Sequence, residues 1–170
     1  MLQPNVETFL ACDSEYDKAK LVLFGAPFDS TTSYRPGTRF GPSAIRHESF
    51  GIETYSPYQD LDLEDYAIFD SGDLELCFGS SEKALKDIEE RADIILNDNK
   101  FPLMIGGEHL VTLGSVRAVA KRHPDLHVIQ FDAHADLRDD YLGVPLSHAC
   151  VLRRCHDLLG DGRIHQFCIR

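Results

Sequence analysis

The chain has 170 residues, 43% hydrophobic and 26% charged, with a formal net charge of −11. That is the composition of one soluble globular domain, large enough for its own core, and it excludes a disordered or low-complexity chain. The acidic balance makes the chain a poor electrostatic partner for nucleic acid or an anionic membrane surface and suits a cationic ligand better, though a surface charged for solubility accounts for the total equally well.

No apolar run reaches the length of a membrane span, and the polar, acidic start lacks the pattern of a secretory signal. Five cysteines, Cys12, Cys77, Cys150, Cys155 and Cys168, include no zinc-type pair. They read as free thiols in a reducing cytoplasm.

Residues 20 to 28 (KLVLFGAPF) predict a first strand ending in a Gly-Ala-Pro turn, followed by a polar loop, DSTTSYRPGTRF. A short helix is expected over 41–50, with Gly41 as cap and Pro42 in the first turn. A long loop of mixed polarity comes next, then a second short strand over 66–69. Asp62, Asp70 and Asp73 are candidates to line a site mouth, or are ordinary loop aspartates.

The clearest helix spans 81–97. Leu85, Ile88, Ala92 and Ile95 recur at helical spacing, Ser80 or Ser81 serves as N-cap, and Lys83, Lys86, Asp87, Glu90 and Arg91 form the solvent side. A third strand, 101–105, breaks at Gly106-Gly107. Glu108-His109 opens a helix over 110–122, and Glu108 there favours the helix dipole. A fourth, buried strand covers 126–131, a helix 147–159, and a fifth strand 164–169. Alternation of strand and helix predicts a parallel sheet with helices on its faces, in one domain over 1–170. Ligands of such sheets gather beyond the carboxyl ends of the strands.

Two of those ends carry the chemistry. Phe131-Asp132-Ala133-His134-Ala135-Asp136 places two carboxylates and an imidazole at alternate positions, which would share one side of an extended segment. So much charge beside a buried strand needs compensation, and a divalent ion supplies it. The mixture of hard oxygen and borderline nitrogen suits Mn²⁺, Fe²⁺, Co²⁺ or Zn²⁺ better than Ca²⁺. A bridging carboxylate leaves room for two ions. The bland alternative is a loop with capping aspartates and a surface histidine. His109 joins this group if the third and fourth strands are neighbours. His47, His123, His127, His156 and His165 read as surface, helix-end or strand-packing residues.

Gly106-Gly107-Glu108-His109 together with Phe131-Asp132-Ala133-His134-Ala135-Asp136-Leu137-Arg138 resembles the ureohydrolases, the family of arginase and agmatinase. Gly25-Ala26-Pro27-Phe28-Asp29 is similar to that family's first strand and loop. Residues 35 to 42 (RPGTRFGP), with Ile45-Arg46, are closer to the agmatinase branch. Ser147-His148 resembles the agmatinase active-site histidine segment.

The resemblance implies a three-layer α/β/α fold with a mostly parallel sheet and two Mn²⁺ ions. His109, Asp132 and Asp136 would bind one ion, Asp132 would bridge, and His134 would bind the other. The implied reaction is hydrolysis of agmatine, a small cationic guanidino substrate, to putrescine and urea. Asp136 would relay a proton to the leaving amine and His148 would exchange it with solvent. Other guanidino compounds, arginine or guanidinobutyrate, are alternative substrates, and a metal-binding pseudoenzyme without turnover is the alternative function. The complete form is expected to be a homo-oligomer. The family's third metal motif, of the type Ser-x-Asp-x-Asp-x-x-Asp-Pro, is not among these 170 residues. The chain therefore reads as the N-terminal portion of such a domain, with the sheet incomplete at its C-terminus.

Overall fold

A computed structural model describes residues 2–170. The first strand, β1 (Leu21–Ala26), is followed by α1 (Gly41–Ser49), with Pro42 in its first turn. A two-stranded hairpin, β2 (Tyr55–Ser56) and β3 (Leu61–Asp62), occupies what the sequence presents as loop. Next come β4 (Ile68–Asp73), α2 (Ser81–Asn97), β5 (Phe101–Gly106) and α3 (Val111–Arg122). The chain closes with β6 (Val128–Phe131), α4 (Val151–Leu159) and β7 (Ile164–Phe167).

The parallel sheet comes in two pieces. One is three-stranded in the order β4-β1-β5, and the other pairs β6 with β7. The centre of the larger piece is β1, buried along nearly its whole length. Alternate side chains of a strand face opposite ways. Val22, Phe24 and Ala26 join Leu85, Ile88, Ile95, Leu110 and Leu113 of the α2–α3 side in the core cluster. Gly25 faces the other way, where an added Cβ would sit 2.9 Å from Pro42 Cβ of α1. Helices therefore cover both faces of β1, giving the expected three layers.

Helix α2 begins as its sequence directs, with Ser80 Oγ accepting the Lys83 N–H at 3.3 Å. Its apolar stripe is buried against α3. Gly114 permits the close approach, since a Cβ there would fall 2.7 Å from Ile88 Cγ2. Arg91 departs from the expected solvent face. It is half-buried, and its Nη1 donates to Ser71 Oγ of β4 at 2.9 Å.

The fourth strand is shorter and less buried than its apolar run predicts. Within β6 only Gln130 is buried, while Ile129 and Phe131 are 63% and 76% exposed. The run is apolar, but among the described residues it pairs only with β7. Phe101 and Leu103 of β5 are exposed for the same reason of limited cover. Among the described residues no helix is long and apolar enough to cross a membrane.

Asp70, a candidate for the site mouth, is instead wholly buried. Arg46 of α1, itself 2% exposed, reaches it through Nε at 2.7 Å and Nη2 at 3.0 Å. Asp70 also accepts the Phe9 and Gly72 N–H groups at 2.9 Å each. Asp73 takes the remaining side of the same guanidinium. This ion-pair network locks α1 and the N-terminal segment onto β4.

Candidate metal centre

The parallel strands β1, β5 and β6 each deliver a loop at the carboxyl end. After β5, Gly107 packs its backbone against the chain beyond β1. A Cβ at Gly107 would lie 2.4 Å from Ala26 O and 2.7 Å from Phe28 O, so only glycine fits without movement. Glu108 N–H then donates to Phe28 O at 2.8 Å. These contacts set His109 at the start of α3 and aim its ring toward the loop after β6.

That loop is held by β7. Gln130 and Gln166 sit opposite each other in the β6–β7 register. Gln166 Nε2 donates to Gln130 Oε1 at 2.6 Å and to Ala135 O at 2.7 Å, while Gln130 Nε2 donates to His134 O at 3.1 Å. Two side-chain amides thus pin the backbone between the aspartates. The segment does not stay extended. Asp136 has φ 50°, the left-handed region that aspartate tolerates better than most residues. Its carbonyl oxygen accepts the Leu152 and Arg153 N–H groups at 3.1 and 3.2 Å. Those are first-turn donors of α4, which have no partner inside the helix.

The outcome is a tight cluster. His109 Nδ1 lies 2.6 Å from Asp136 Oδ2 and 3.6 Å from Asp132 Oδ2. One ligand atom from each of His109, Asp132 and Asp136 falls within 4.8 Å of the others, and all three residues are partly buried. The other oxygen of Asp132, Oδ1, accepts the His134 N–H at 2.8 Å and lies 3.5 Å from His134 Nδ1. That backbone hydrogen bond, helped by the positive charge of His109 and His134 when protonated, holds the Asp132 carboxyl below the ordinary carboxylate range.

The structure brings together three of the four expected ligands. His134 lies outside the tight cluster at 79% exposure, with its Nδ1 3.5 Å from Asp132 Oδ1. Strand adjacency, the condition set for His109 to join the group, is not what joins it: β5 and β6 belong to separate sheet pieces.

Beside the cluster lies a cleft of about 680 Å³ whose lining includes Ser33, His134, Asp136, Arg138, Tyr141 and His148. His148 opens a short 3-10 turn before α4. Its ring meets the Tyr141 ring edge-on at 5.5 Å, and its Nδ1 is buried without a hydrogen-bond partner among the described residues. Arg138 guanidinium sits 5.6 Å from the Tyr141 ring centroid.

A family model described as "Arginase family" matches residues 19–170. The chain belongs to the arginase family. This arginase-family chain is 49% identical over 164 residues to an agmatinase of Bacillus subtilis, covering 96% of itself and 57% of that protein. Its structure matches the agmatine ureohydrolase of Thermoplasma volcanium with a TM-score of 0.90 at 38% identity, covering 98% of this chain and 55% of that one. Proclavaminate amidino hydrolase from Streptomyces clavuligerus matches with a TM-score of 0.87 at 33% identity, covering 98% and 57%. The chain thus spans little more than half the length of these relatives. The likeness to solved structures of the family bears out the α/β fold with its parallel strands.

Among the residues that build the site, sequence reasoning missed Gln130, Gln166, Glu108 and Thr31. Glu108, expected as a helix-dipole residue, is 5% exposed and faces Thr31 across the fold. Thr31 itself lies in a loop with no chemical signature. Only the apolar strand directly before Gly-Gly-Glu-His hinted that Glu108 would be buried.

Proposed function

We propose that the chain supplies part of a two-manganese centre that hydrolyses the guanidinium group of agmatine to putrescine and urea. The observation that carries this reading is the His109–Asp132–Asp136 cluster, in which the two oxygens of Asp132 face different imidazoles, His109 and His134. A carboxylate placed between two histidines suits a bridging role. The donor set of imidazole and carboxylate fits Mn²⁺, so His109, Asp132 and Asp136 would hold one ion and Asp132 and His134 the other. The similarity to an agmatinase and to an agmatine ureohydrolase supports the choice of substrate.

A guanidinium carbon is a poor electrophile because its positive charge is delocalised. Bound ions of this kind supply a hydroxide nucleophile near neutral pH. The remaining work falls to the chain. The Asp136 carboxylate would take the nucleophile's proton and pass it to the departing amine nitrogen. Addition to the carbon gives a neutral tetrahedral adduct, and the bond to the amine-side nitrogen breaks as that nitrogen is protonated. His148, at the cleft wall, would exchange protons between the site and solvent. The acidic chain favours approach of a dication such as agmatine.

The same reading places the protein in the reducing cytoplasm, supported by five cysteines that all stand free. It includes self-association, supported by the exposed Phe40, Phe50, Ile52 and Tyr58 on and around α1 and the β2–β3 hairpin.

The test is urea release from agmatine with added Mn²⁺, by this chain alone and mixed with the segment of the Bacillus subtilis agmatinase lying beyond the matched region. Urea in either arm, lost in Asp136→Asn, supports the proposal. Metal binding without urea in both arms favours a metal-binding protein without turnover. Equal metal content in wild type and Asp132→Ala would sink the ligand assignment.

A further inference from the structure

Glu108 is a buried carboxylate directly before a proposed metal ligand, and its hydrogen bonds are made with Leu110 and Thr31. Oε2 accepts the Leu110 N–H at 2.8 Å. Oε1 accepts the Thr31 N–H at 3.3 Å and also the Thr31 hydroxyl. A carboxylate can only accept, so the hydroxyl proton of Thr31 is committed to Glu108. The lone pairs of Thr31 Oγ1 are then free for another donor, and the His148 N–H fills that place at 3.0 Å.

That N–H opens the turn leading into α4 and needs an acceptor from outside the helix. Ser147, in the N-cap position, does not supply one; its hydroxyl donates to Cys150 Sγ at 3.2 Å. Thr31, 117 residues away in sequence, does the capping instead. Ser33, two residues further along the same loop, reaches the ring of His148, with Oγ 3.4 Å from Nε2. Backbone and imidazole of His148 are thus both held by the loop after β1. That loop is in turn held by the residue preceding His109.

We propose that Glu108 and Thr31 are positioning residues that fix His148 relative to His109 through a directed hydrogen-bond relay ending on the His148 backbone N–H. The proposal rests on the reading of His148 as the proton-exchanging group.

The test uses NMR of this 170-residue chain, following hydrogen exchange at the His148 amide and the resonances of its imidazole. Thr31→Val keeps the shape and removes the hydroxyl. It should speed exchange at His148 about fivefold or more and shift the imidazole signal, as loss of one hydrogen bond implies. Thr31→Ser should restore both. Ser33→Ala should move the imidazole signal and leave amide exchange unchanged.

Wild-type values at His148 in Thr31→Val, or failure of Thr31→Ser to restore them, overturn the relay. Should the valine variant not fold, Glu108→Met takes its place. Methionine offers no oxygen acceptor, so the Thr31 hydroxyl loses the partner that orients it, and an unchanged His148 amide there overturns the relay equally.

None of these signals needs substrate or metal, so they separate from the hydrolysis measured alongside. Urea release with unchanged His148 signals removes the relay and leaves the activity. Altered His148 signals without any urea from the wild type remove the activity, and the proton-transfer role with it. Where urea is released, Thr31→Val should lower kcat and leave KM unchanged.

Discussion

His109 Nδ1 stands 2.6 Å from Asp136 Oδ2, although the residues are 27 apart and the strands before them, β5 and β6, do not pair. The contact is made by two loops, each fixed by its own backbone device. Asp136 is turned by a left-handed φ of 50° and anchored through its carbonyl to α4. Asparagine tolerates that backbone well. Asp136→Asn should therefore keep the fold and its melting temperature while losing metal. Loss of a direct ligand should exceed the roughly tenfold to hundredfold cost of losing a partner behind one. Calorimetric titration with Mn²⁺ measures it, and wild-type affinity in the variant contradicts the ligand role.

Gly107→Ala tests the second loop. The added Cβ meets backbone atoms of Ala26 and Phe28 at 2.4 to 2.8 Å, and backbone cannot rotate out of the way as a side chain can. The expected loss is about 1–3 kcal/mol, as for other overpacked sites. Urea denaturation gives the value. Mn²⁺ affinity should fall in the same variant, since His109 moves with the displaced turn.

Arg46→Met would leave Asp70 wholly buried without its cation. Breaking such a pair from one side costs about 3–5 kcal/mol, because an uncompensated charge stays in the interior. The variant should melt well below wild type. A second consequence is specific: the Phe9 N–H bonded to Asp70 should lose protection in hydrogen exchange as the N-terminal segment loosens.

The loop after β1 responds to acid. The Arg39 guanidinium, with the Gly37 N–H, holds the Asp29 carboxyl below its ordinary value of 3.8. The folded state therefore releases this proton at a lower pH than the unfolded chain. The unfolded state binds more protons in that window, so stability rises with pH there. The contribution is complete above 3.8 and is lost as pH falls through the depressed folded value. Denaturation midpoints of wild type and Asp29→Asn, compared over about pH 5 to 3, should converge as acid removes the clasp. A constant difference across that range contradicts it.

Thiol reactivity should sort the cysteines by burial. Burial pushes the Cys12 thiol up to about 11 and the Cys155 thiol up to about 12, whereas Cys168 is exposed. The thiolate is the reactive form. Near pH 8, at about the free-thiol value, Cys168 should label first, Cys77 more slowly, and Cys12, Cys150 and Cys155 only on unfolding. Mass mapping after timed alkylation reads the order.

Much of this architecture is local and was legible in the sequence. Helical spacing of Leu85, Ile88, Ala92 and Ile95 specifies α2, and the Ser80 cap specifies where it begins. Apolar runs ending in Gly-Gly-Glu-His and Asp-Ala-His-Ala-Asp place metal-type side chains at strand ends from local pattern alone. Periodicity was weaker where pairing decides burial. The run before Asp132 is apolar, yet Ile129 and Phe131 are exposed, because a strand is buried by its neighbours and not by its own composition. The β2–β3 hairpin is too short to show any alternation.

By itself the sequence determined the succession of strands and helices and the kinds of ligand waiting at two loop ends, since both depend on residues close together in the chain. Only the tertiary structure decided that His109 meets Asp132 and Asp136 without its strand pairing with theirs, and that His134 stands apart at the surface. It also decided that Asp70 is buried with Arg46, and that Thr31 joins Glu108 to His148. The physical reason is common to these cases. Side-chain spacing encodes the local backbone, whereas a hydrogen bond spanning 117 residues exists only once packed layers have brought two loops together.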